Sequence, residues 1–316
     1  MAHMIETMAY AGETPWHSLG KQVPADLSPE QMLKAADLDW TVEKIPAFSK
    51  IDGKSVNVGV SALVRSTDKR VLDVVSNDWN PVQNHEAFQF FSEYCEAGDM
   101  EMNTAGSLRD GQIVWGLAKV KESFELFKGD QVDSYLLFTN PHKFGQCIDV
   151  RFTPIRVVCN NTLTLALREH SERVVKKNHR TVFDPSQVKE QLGIATEKLA
   201  KYKEMAAFLG TKRYTQDKLS EYFKKVFPVL AYDKEKGPQR KVLSKSAVLA
   251  LDTIETQPGA EFARGSWWQA FNAVTYLTDH KIGKTADTRL QSAWFGANKN
   301  LKIKALETAI EFAEAA

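Results

Sequence analysis

Alternating apolar and polar positions early in the chain predict a three-stranded meander. Every second residue from 56 to 64 is valine or alanine, which is the period of a β-strand. The apolar segment over 40–48 predicts a preceding strand, and the Asp52-Gly53 pair between the two is typical of a hairpin turn. A third strand is predicted over 70–76, so we expect three antiparallel strands joined by short turns.

Helices are predicted on both sides of this meander. The first begins at Ser28 as N-cap, followed by a proline at the first helical position and a glutamine that completes a capping box. The second covers 85–96 with Asn84 as its N-cap, and its apolar residues recur at spacings of three and four. The sequence therefore predicts the order helix, three strands, helix.

More strands and then a series of helices are predicted downstream. Segments rich in β-branched residues predict strands over 111–120, 134–140 and 146–158. The apolar period then changes to 3.6 residues, which predicts helices over 184–209, 216–227, 243–256, 267–279 and 301–315. We therefore expect an α+β fold, with an antiparallel β-meander sheet and packed helices, followed by a helical C-terminal region.

Three regions are predicted along the chain. Glycine and proline are frequent before residue 25, so residues 1–24 are expected to form an extended arm without a regular element. Residues 25–182 are predicted to form the α+β core. Residues 183–316 are predicted to form the helical region.

The composition changes this picture little. The 316 residues are 43% hydrophobic and 26% charged, which is sufficient for a large core. There is no run of eighteen apolar residues and no signal-peptide pattern, so we expect a cytoplasmic protein of a bacterial host cell without membrane contact. The three cysteines, Cys95, Cys147 and Cys159, are expected to be buried free thiols.

Motifs for catalysis or cofactor binding are absent from the sequence. The histidines do not form the paired helical spacing of a zinc protease, and neither a phosphate-binding glycine loop nor a GxSxG motif occurs. Asp149 and Arg151 come nearest to a metal nuclease site, but partner carboxylates cannot be identified. We therefore expect no enzymatic activity and no cofactor.

The charge of the chain is distributed unevenly. Its net charge is +1, but residues 1–150 hold 13 Lys or Arg against 22 Asp or Glu, a balance of −9. Residues 151–316 hold 28 against 18, a balance of +10. A basic half can bind a polyanion, while an acidic half can pair with a neighbouring subunit; scattered charge on solvated faces is the alternative.

The basic charge is dense in the segment RFTPIRVVCNNTLTLALREHSERVVKKNHR, over residues 151–180, which has seven Lys or Arg against two Glu. The start of the segment is predicted to be a strand that is interrupted or has a sheet edge at Pro154, because proline has no N–H to donate. The Asn160-Asn161 pair is typical of a turn or a helix N-cap, and a basic helix is predicted from Thr162. Arginines near a helix N-terminus can bind phosphates, whereas a solvated helix face is the alternative. The candidate nucleic-acid-binding residues are Arg151, Arg156, Asn160, Asn161, Arg168, Arg173, Lys176 and Lys177.

Several stretches resemble a known family over nearly the whole chain. GETPWHSLG from Gly12, RFTPIRVVCNNTL from Arg151, NAVTY from Asn272 and WFG from Trp294 look like the phage/plasmid-like family catalogued as domain of unknown function 932. This resemblance implies a setting in phages, prophages and plasmids. The meander with its VNVGVSALVR strand more weakly resembles Rad-fifty-two-type single-strand annealing proteins, which implies oligomeric rings with a basic groove for DNA.

Together these features predict a single-stranded DNA-binding protein that anneals strands in recombination without nucleotide hydrolysis. We expect DNA in preference to RNA as the partner, and a homo-oligomeric ring or filament. One alternative is a counter-defence protein that binds a host enzyme, with its acidic half imitating DNA. A second alternative is an unrecognised metal-dependent nuclease.

Overall fold

A computed structural model describes residues 5–12, 19–97, 100–120, 123–146, 148–156, 161–162, 188–229 and 243–315. The strands are β1 (Ile5–Ala11), β2 (Lys21–Val23), β3 (Val42–Ile51), β4 (Lys54–Arg65), β5 (Val71–Ser76), β6 (Met100–Leu108), β7 (Ile113–Val120), β8 (Phe124–Phe127), β9 (Asp130–Pro141), β10 (Asp149–Arg156) and β11 (Asn161–Thr162). The helices are α1 (Pro29–Ala35), α2 (Asn84–Ala97), α3 (Val188–Thr211), α4 (Gln216–Val226), α5 (Lys245–Thr253), α6 (Trp267–Tyr276), α7 (Ala286–Phe295) and α8 (Ala297–Glu314). Two mostly antiparallel sheets followed by helices confirm the predicted α+β class.

The smaller sheet is the predicted meander. Its order is β3-β4-β5, and both pairs of strands are antiparallel. Asp52 and Gly53 connect β3 to β4 with φ angles of 49° and 76°. Positive φ at both central residues belongs to a type I′ turn, which matches the twist of the flanking strands. The predicted hairpin is therefore confirmed.

The larger sheet contains strands that the sequence pattern did not reveal. Within the described residues its order is β11-β10-β9-β7-β6-β1-β2, and β8 pairs with β9. The β1–β2 pair is parallel, and β1 lies antiparallel to β6. The prediction of an arm without a regular element is wrong for Ile5–Ala11, which forms β1, and for Lys21–Val23, which forms β2. A Cβ on Gly106 of β6 would lie 2.5 Å from the Thr7 carbonyl oxygen, so glycine permits the close approach of β1.

The described residues divide into two compact units. Unit 1 contains those within 5–122, 134–153 and 188–196. Unit 2 contains those within 123–133, 154–162 and 197–315. The predicted domain boundary between residues 182 and 183 lies outside the described residues.

The core of unit 1 forms where α1 and α2 pack on strands of the larger sheet. Phe88 and Phe91 of α2 contact the ring of Phe138 on β9, with centroids 6.3 and 5.5 Å away. All three side chains are buried, and Cys95 of the same helix lies in this cluster. Cys95 is a free thiol, as predicted, and burial raises its pKa to about 12.

Helix α1 begins as predicted, whereas α2 does not. The Ser28 hydroxyl accepts from the Gln31 amide at 3.2 Å, and the Gln31 side chain accepts from the Ser28 amide at 2.8 Å. At α2, the Asn84 side chain donates to the Leu38 carbonyl at 3.0 Å, and its oxygen lies 2.8 Å from His142 Nε2. The predicted N-cap role of Asn84 is therefore wrong, because this buried amide connects distant segments instead.

Arg65, at the end of β4, connects three parts of unit 1. Its guanidinium donates to both Glu6 carboxylate oxygens at 2.6 and 2.8 Å and to both Asp68 oxygens at 2.9 and 2.6 Å. The same group lies 5.5 Å from the centroid of a Trp40 ring, and its side chain is only 7% exposed. Hydrogen bonds to Asp68 and Glu6 raise the pKa of Arg65, and the bond from Arg65 lowers that of Asp68.

Unit 2 is built around buried aromatic side chains. The ring of Trp267 lies 5.5 Å from that of Tyr222 on α4 and 5.3 Å from that of Phe312 on α8, between centroids. The Tyr222 hydroxyl donates to the Ala305 carbonyl at 3.1 Å. Most of these aromatics lie on predicted helices, so the apolar faces of those helices form the core of unit 2. Their predicted positions are confirmed within a few residues, whereas α7 was not predicted.

A buried ion pair lies beside an irregular turn in unit 2. Helix α6 continues into a π-helical turn at Leu277–Lys281, in which Asp279 accepts from the ammonium of Lys302 at 2.8 Å. Both side chains are at most 1% exposed. Burial lowers the pKa of Lys302, while the attraction of Asp279 opposes that shift.

We expect Arg65→Lys to lower the free energy of unfolding by about 2 kcal/mol, because lysine cannot form two bidentate contacts from a buried site. Arg70→Lys is the matched control, since Arg70 is 44% exposed in its contacts with Asp68 and Asp110. It should change stability by less than about 0.5 kcal/mol. Urea denaturation measures both variants, and equal effects would contradict the role given to Arg65.

We expect Lys302→Met to lower the free energy of unfolding by about 3–5 kcal/mol, because the Asp279 carboxylate would remain buried without its ammonium partner. Adding Asp279→Asn removes that charge and should recover at least half of the loss. Thermal and urea denaturation of the two variants measure the difference. A double variant no more stable than Lys302→Met would show that charge isolation is not the cause.

Candidate nucleic-acid interface

Three of the predicted site residues lie on described strands. Arg151 and Arg156 are on β10, and Asn161 begins β11. In the antiparallel pairing of these strands, Arg156 lies opposite Asn161 and Ile155 lies opposite Thr162. Arg156 and Asn161, which are five positions apart in the sequence, therefore face each other across two strands. This pair of strands lies at one end of the strand order of the larger sheet.

The other predicted contact residues cannot be placed. Asn160, Arg168, Arg173, Lys176 and Lys177 lie outside the described residues. The prediction of a helix beginning at Thr162 is wrong at that residue, which belongs to β11, and Asn161 is a strand residue rather than an N-cap. The reason is antiparallel pairing with β10, which the preference of asparagine for turns and caps does not reveal.

Two residues of β10 before its basic end have described, buried side chains. Thr153 and Asp149 are buried, and the Thr139 hydroxyl donates to the Asp149 carbonyl oxygen at 3.4 Å. Strand β10 continues through Pro154, and the described β10–β11 pairing joins Ile155 to Thr162 and Arg156 to Asn161. The residue that would face Pro154 lies outside the described residues, so the edge expected there stays a prediction.

Sequence reasoning missed a second candidate surface, in the outer part of the β3–β4 hairpin. Phe48 is 60% exposed, and every described residue from 54 to 59 on β4 is exposed. Val56 and Val58, which predicted a buried strand face by their alternation, are 41% and 47% exposed. We define the outer hairpin as residues 48–57. Two features of the sequence could have indicated this surface. Lys50 and Lys54 lie close to the predicted turn, and the apolar residues near them pair with polar residues on the other strand of the hairpin.

The inner part of the same hairpin is fixed. Lys44 donates to the Asn77 carbonyl at 2.7 Å and to the Trp79 carbonyl at 3.2 Å, and the Ser61 hydroxyl donates to Asn77 Oδ1 at 2.8 Å. Between the two parts the register shifts, and Gly59 has a φ of 75° with open space around it. Such bulges bend a strand and redirect its side chains. The outer hairpin therefore extends from an anchored base.

The aromatic residues near the C-terminus are core. Trp267, Trp268, Phe271 and Trp294 are buried, which agrees with the usual role of aromatics at these spacings. They are not available to stack on nucleic-acid bases. Phe48, in the outer hairpin, is an exposed aromatic residue.

Two properties of the described residues bear on other classes of function. Among the described residues, no group of three or more His, Cys, Asp or Glu side chains could hold a metal ion. No helix formed by those residues is long and apolar enough to cross a membrane. The expected absence of enzymatic activity stays a prediction.

Comparison with known proteins identifies one family. The model described as "Domain of unknown function (DUF932)" matches residues 71–294, which are 224 of the 316 residues. Searches of curated proteins and of solved structures found no match. The resemblance to Rad-fifty-two-type annealing proteins therefore stays a prediction. The matched residues include β10 and β11 but begin after the β3–β4 hairpin, and because they cover most of the chain, the chain belongs to the DUF932 family.

Proposed function

We propose that this protein binds single-stranded DNA in phage or plasmid recombination and anneals complementary strands without hydrolysing a nucleotide. The observation that carries the proposal is the opposition of Arg156 and Asn161 on β10 and β11. A guanidinium is suited to bidentate contact with a phosphate, and an asparagine amide supplies a neutral donor. Together they provide the kind of contact that holds a nucleic-acid backbone.

Charge density supports the same proposal. The segment from Arg151 to Arg180 carries seven Lys or Arg against two Glu, within a C-terminal half of balance +10. Each phosphate neutralised by such a cation releases counterions, which makes binding strongly dependent on salt. This segment also lies inside the residues that match the family.

Annealing requires no catalytic side chain. A protein that grips the backbone of single strands leaves the base edges free to pair, so subunit arrays can bring complementary strands together. A homo-oligomeric ring or filament would supply that array. DNA is the proposed partner, and RNA is the competitor against which it should be measured.

We expect Arg156→Glu combined with Lys176→Glu to weaken binding of a labelled single-stranded oligonucleotide and to reduce its salt dependence. Loss of two phosphate contacts should reduce the slope of log K against log salt by about 1.4, at roughly 0.7 per contact on a single strand. Fluorescence anisotropy over a salt series measures both quantities. Circular dichroism and thermal unfolding establish that the variant is folded, and Arg156→Gln provides a milder substitution.

The matched control is Lys245→Glu combined with Lys284→Glu, which makes the same change in net charge at two exposed lysines of unit 2. It should keep the parental slope. An unchanged slope in the Arg156 and Lys176 variant would remove this site, and a parent that binds no oligonucleotide at low salt would reject the proposed function. That second outcome would favour a counter-defence protein.

A further inference from the structure

The two faces of the outer hairpin differ in chemistry. The register places Phe48 opposite Asn57 and Lys50 opposite Ser55. Since directly opposed residues and alternate residues of a strand point to the same side, these four side chains share one face. We call it the Phe48 face; it combines an exposed aromatic ring, an ammonium group and two small polar side chains.

The opposite face lacks an aromatic side chain. There Ser49 is opposite Val56 and Ile51 is opposite Lys54, so it carries two aliphatic residues, a serine and a lysine. Lys50 and Lys54 are both exposed, and neither side chain has a hydrogen-bond or ion-pair partner among the described residues. The hairpin thus presents two comparable cations on two chemically different faces.

We propose that the Phe48 face stacks on an unpaired base of single-stranded DNA while Lys50 neutralises a neighbouring phosphate. Every base has a π-face, so an exposed aromatic ring binds single strands with little dependence on sequence. Positive charge two residues along the same face complements the backbone. This contact rests on the proposed function and adds to it an interaction with bases, whereas Arg156 and Asn161 are assigned to the phosphate backbone.

Pairing with a second copy along the edge of β3 is less well supported. Pro46 lies on this edge strand just before the outer hairpin, and proline lacks the N–H that an added strand would bind. If two copies paired along β3, Lys50 of one copy would also lie close to Lys50 of the other in several of the possible registers, and the two like charges would repel. The polar and cationic surroundings of Phe48 therefore suit a nucleic-acid strand better than another copy of the hairpin.

A double-mutant cycle tests the stacking contact, with the Phe48 ring removed from the protein and the bases removed from the DNA strand. Phe48→Ala should weaken binding of the full-length protein to oligothymidylate about tenfold. Binding to the corresponding abasic strand should change less than about twofold, because there is no base to stack on the ring. Phe48→Trp should retain parental affinity. Phe144→Ala is the matched control, since Phe144 is also 60% exposed in unit 1, and it should bind both strands as the parent does.

Two lysine substitutions test which face binds. Lys50→Glu and Lys54→Glu make the same change in charge within a few residues of the same turn, but on opposite faces. Lys50→Glu should weaken binding several times more than Lys54→Glu. Equal losses would indicate a general electrostatic effect and would contradict a specific Phe48 face.

The outcomes separate this inference from the proposed function. If the parent binds oligothymidylate but Phe48→Ala binds both strands as tightly as the parent does, the stacking contact is rejected and the proposed function stands. If Phe48→Ala instead changes the oligomeric state in sedimentation, with no selective loss for the base-bearing strand, the hairpin is a subunit contact and the inference fails. A parent without affinity for single strands overturns both.

Discussion

The guanidinium of Arg65 holds together parts of unit 1 that are distant in the sequence. It binds Glu6 on β1 of the larger sheet, Asp68 in the turn after β4, and the face of Trp40. Two carboxylates around one buried cation compensate for its desolvation, and the five donors of arginine match them in a way that lysine cannot. The base of the meander is thereby fixed to the larger sheet, and the exposed part of the hairpin depends on that base.

An anchored base matters because the outer hairpin has no core of its own. A two-stranded ribbon with both faces in solvent is only marginally stable in isolation. Lys44 and Ser61 bind the segment around Asn77 on one side of the register shift, and the type I′ turn at Asp52-Gly53 closes the other end. Apolar side chains that remain exposed in such a ribbon contribute nothing to a core, so folding does not require them.

Features set by local chemistry could be predicted from the sequence. The capping box at Ser28 and the turn at Asp52-Gly53 depend on residues only a few positions apart. Strand β6 could not be predicted, because Thr104, Gly106 and Ser107 interrupt any apolar alternation, although its later residues are all buried. The role of Asn84 could not be predicted either. An asparagine before an apolar helical segment is typical of an N-cap, and its contacts with Leu38 and His142 depend on residues far away in the sequence.

The candidate site likewise combines a feature that is visible in the sequence with features that only the structure reveals. A dense basic segment is visible in the sequence, but the opposition of Arg156 and Asn161 depends on strand pairing. The outer hairpin is harder to find, because alternating valines such as Val56 and Val58 ordinarily indicate a strand with one buried face, and only the tertiary fold leaves this part of the strand exposed.

A stacking contact and a backbone contact are compatible with annealing for one geometric reason. A base that stacks on an aromatic ring uses its π-face, whereas pairing with a complementary strand uses its edge. A phosphate held by arginine or lysine likewise leaves the edge free. Hydrogen bonds to base edges would hold a strand more selectively but would compete with the incoming complement. A surface of exposed phenylalanine and lysine is therefore better suited to a strand that must later pair than a surface rich in base-edge donors and acceptors would be.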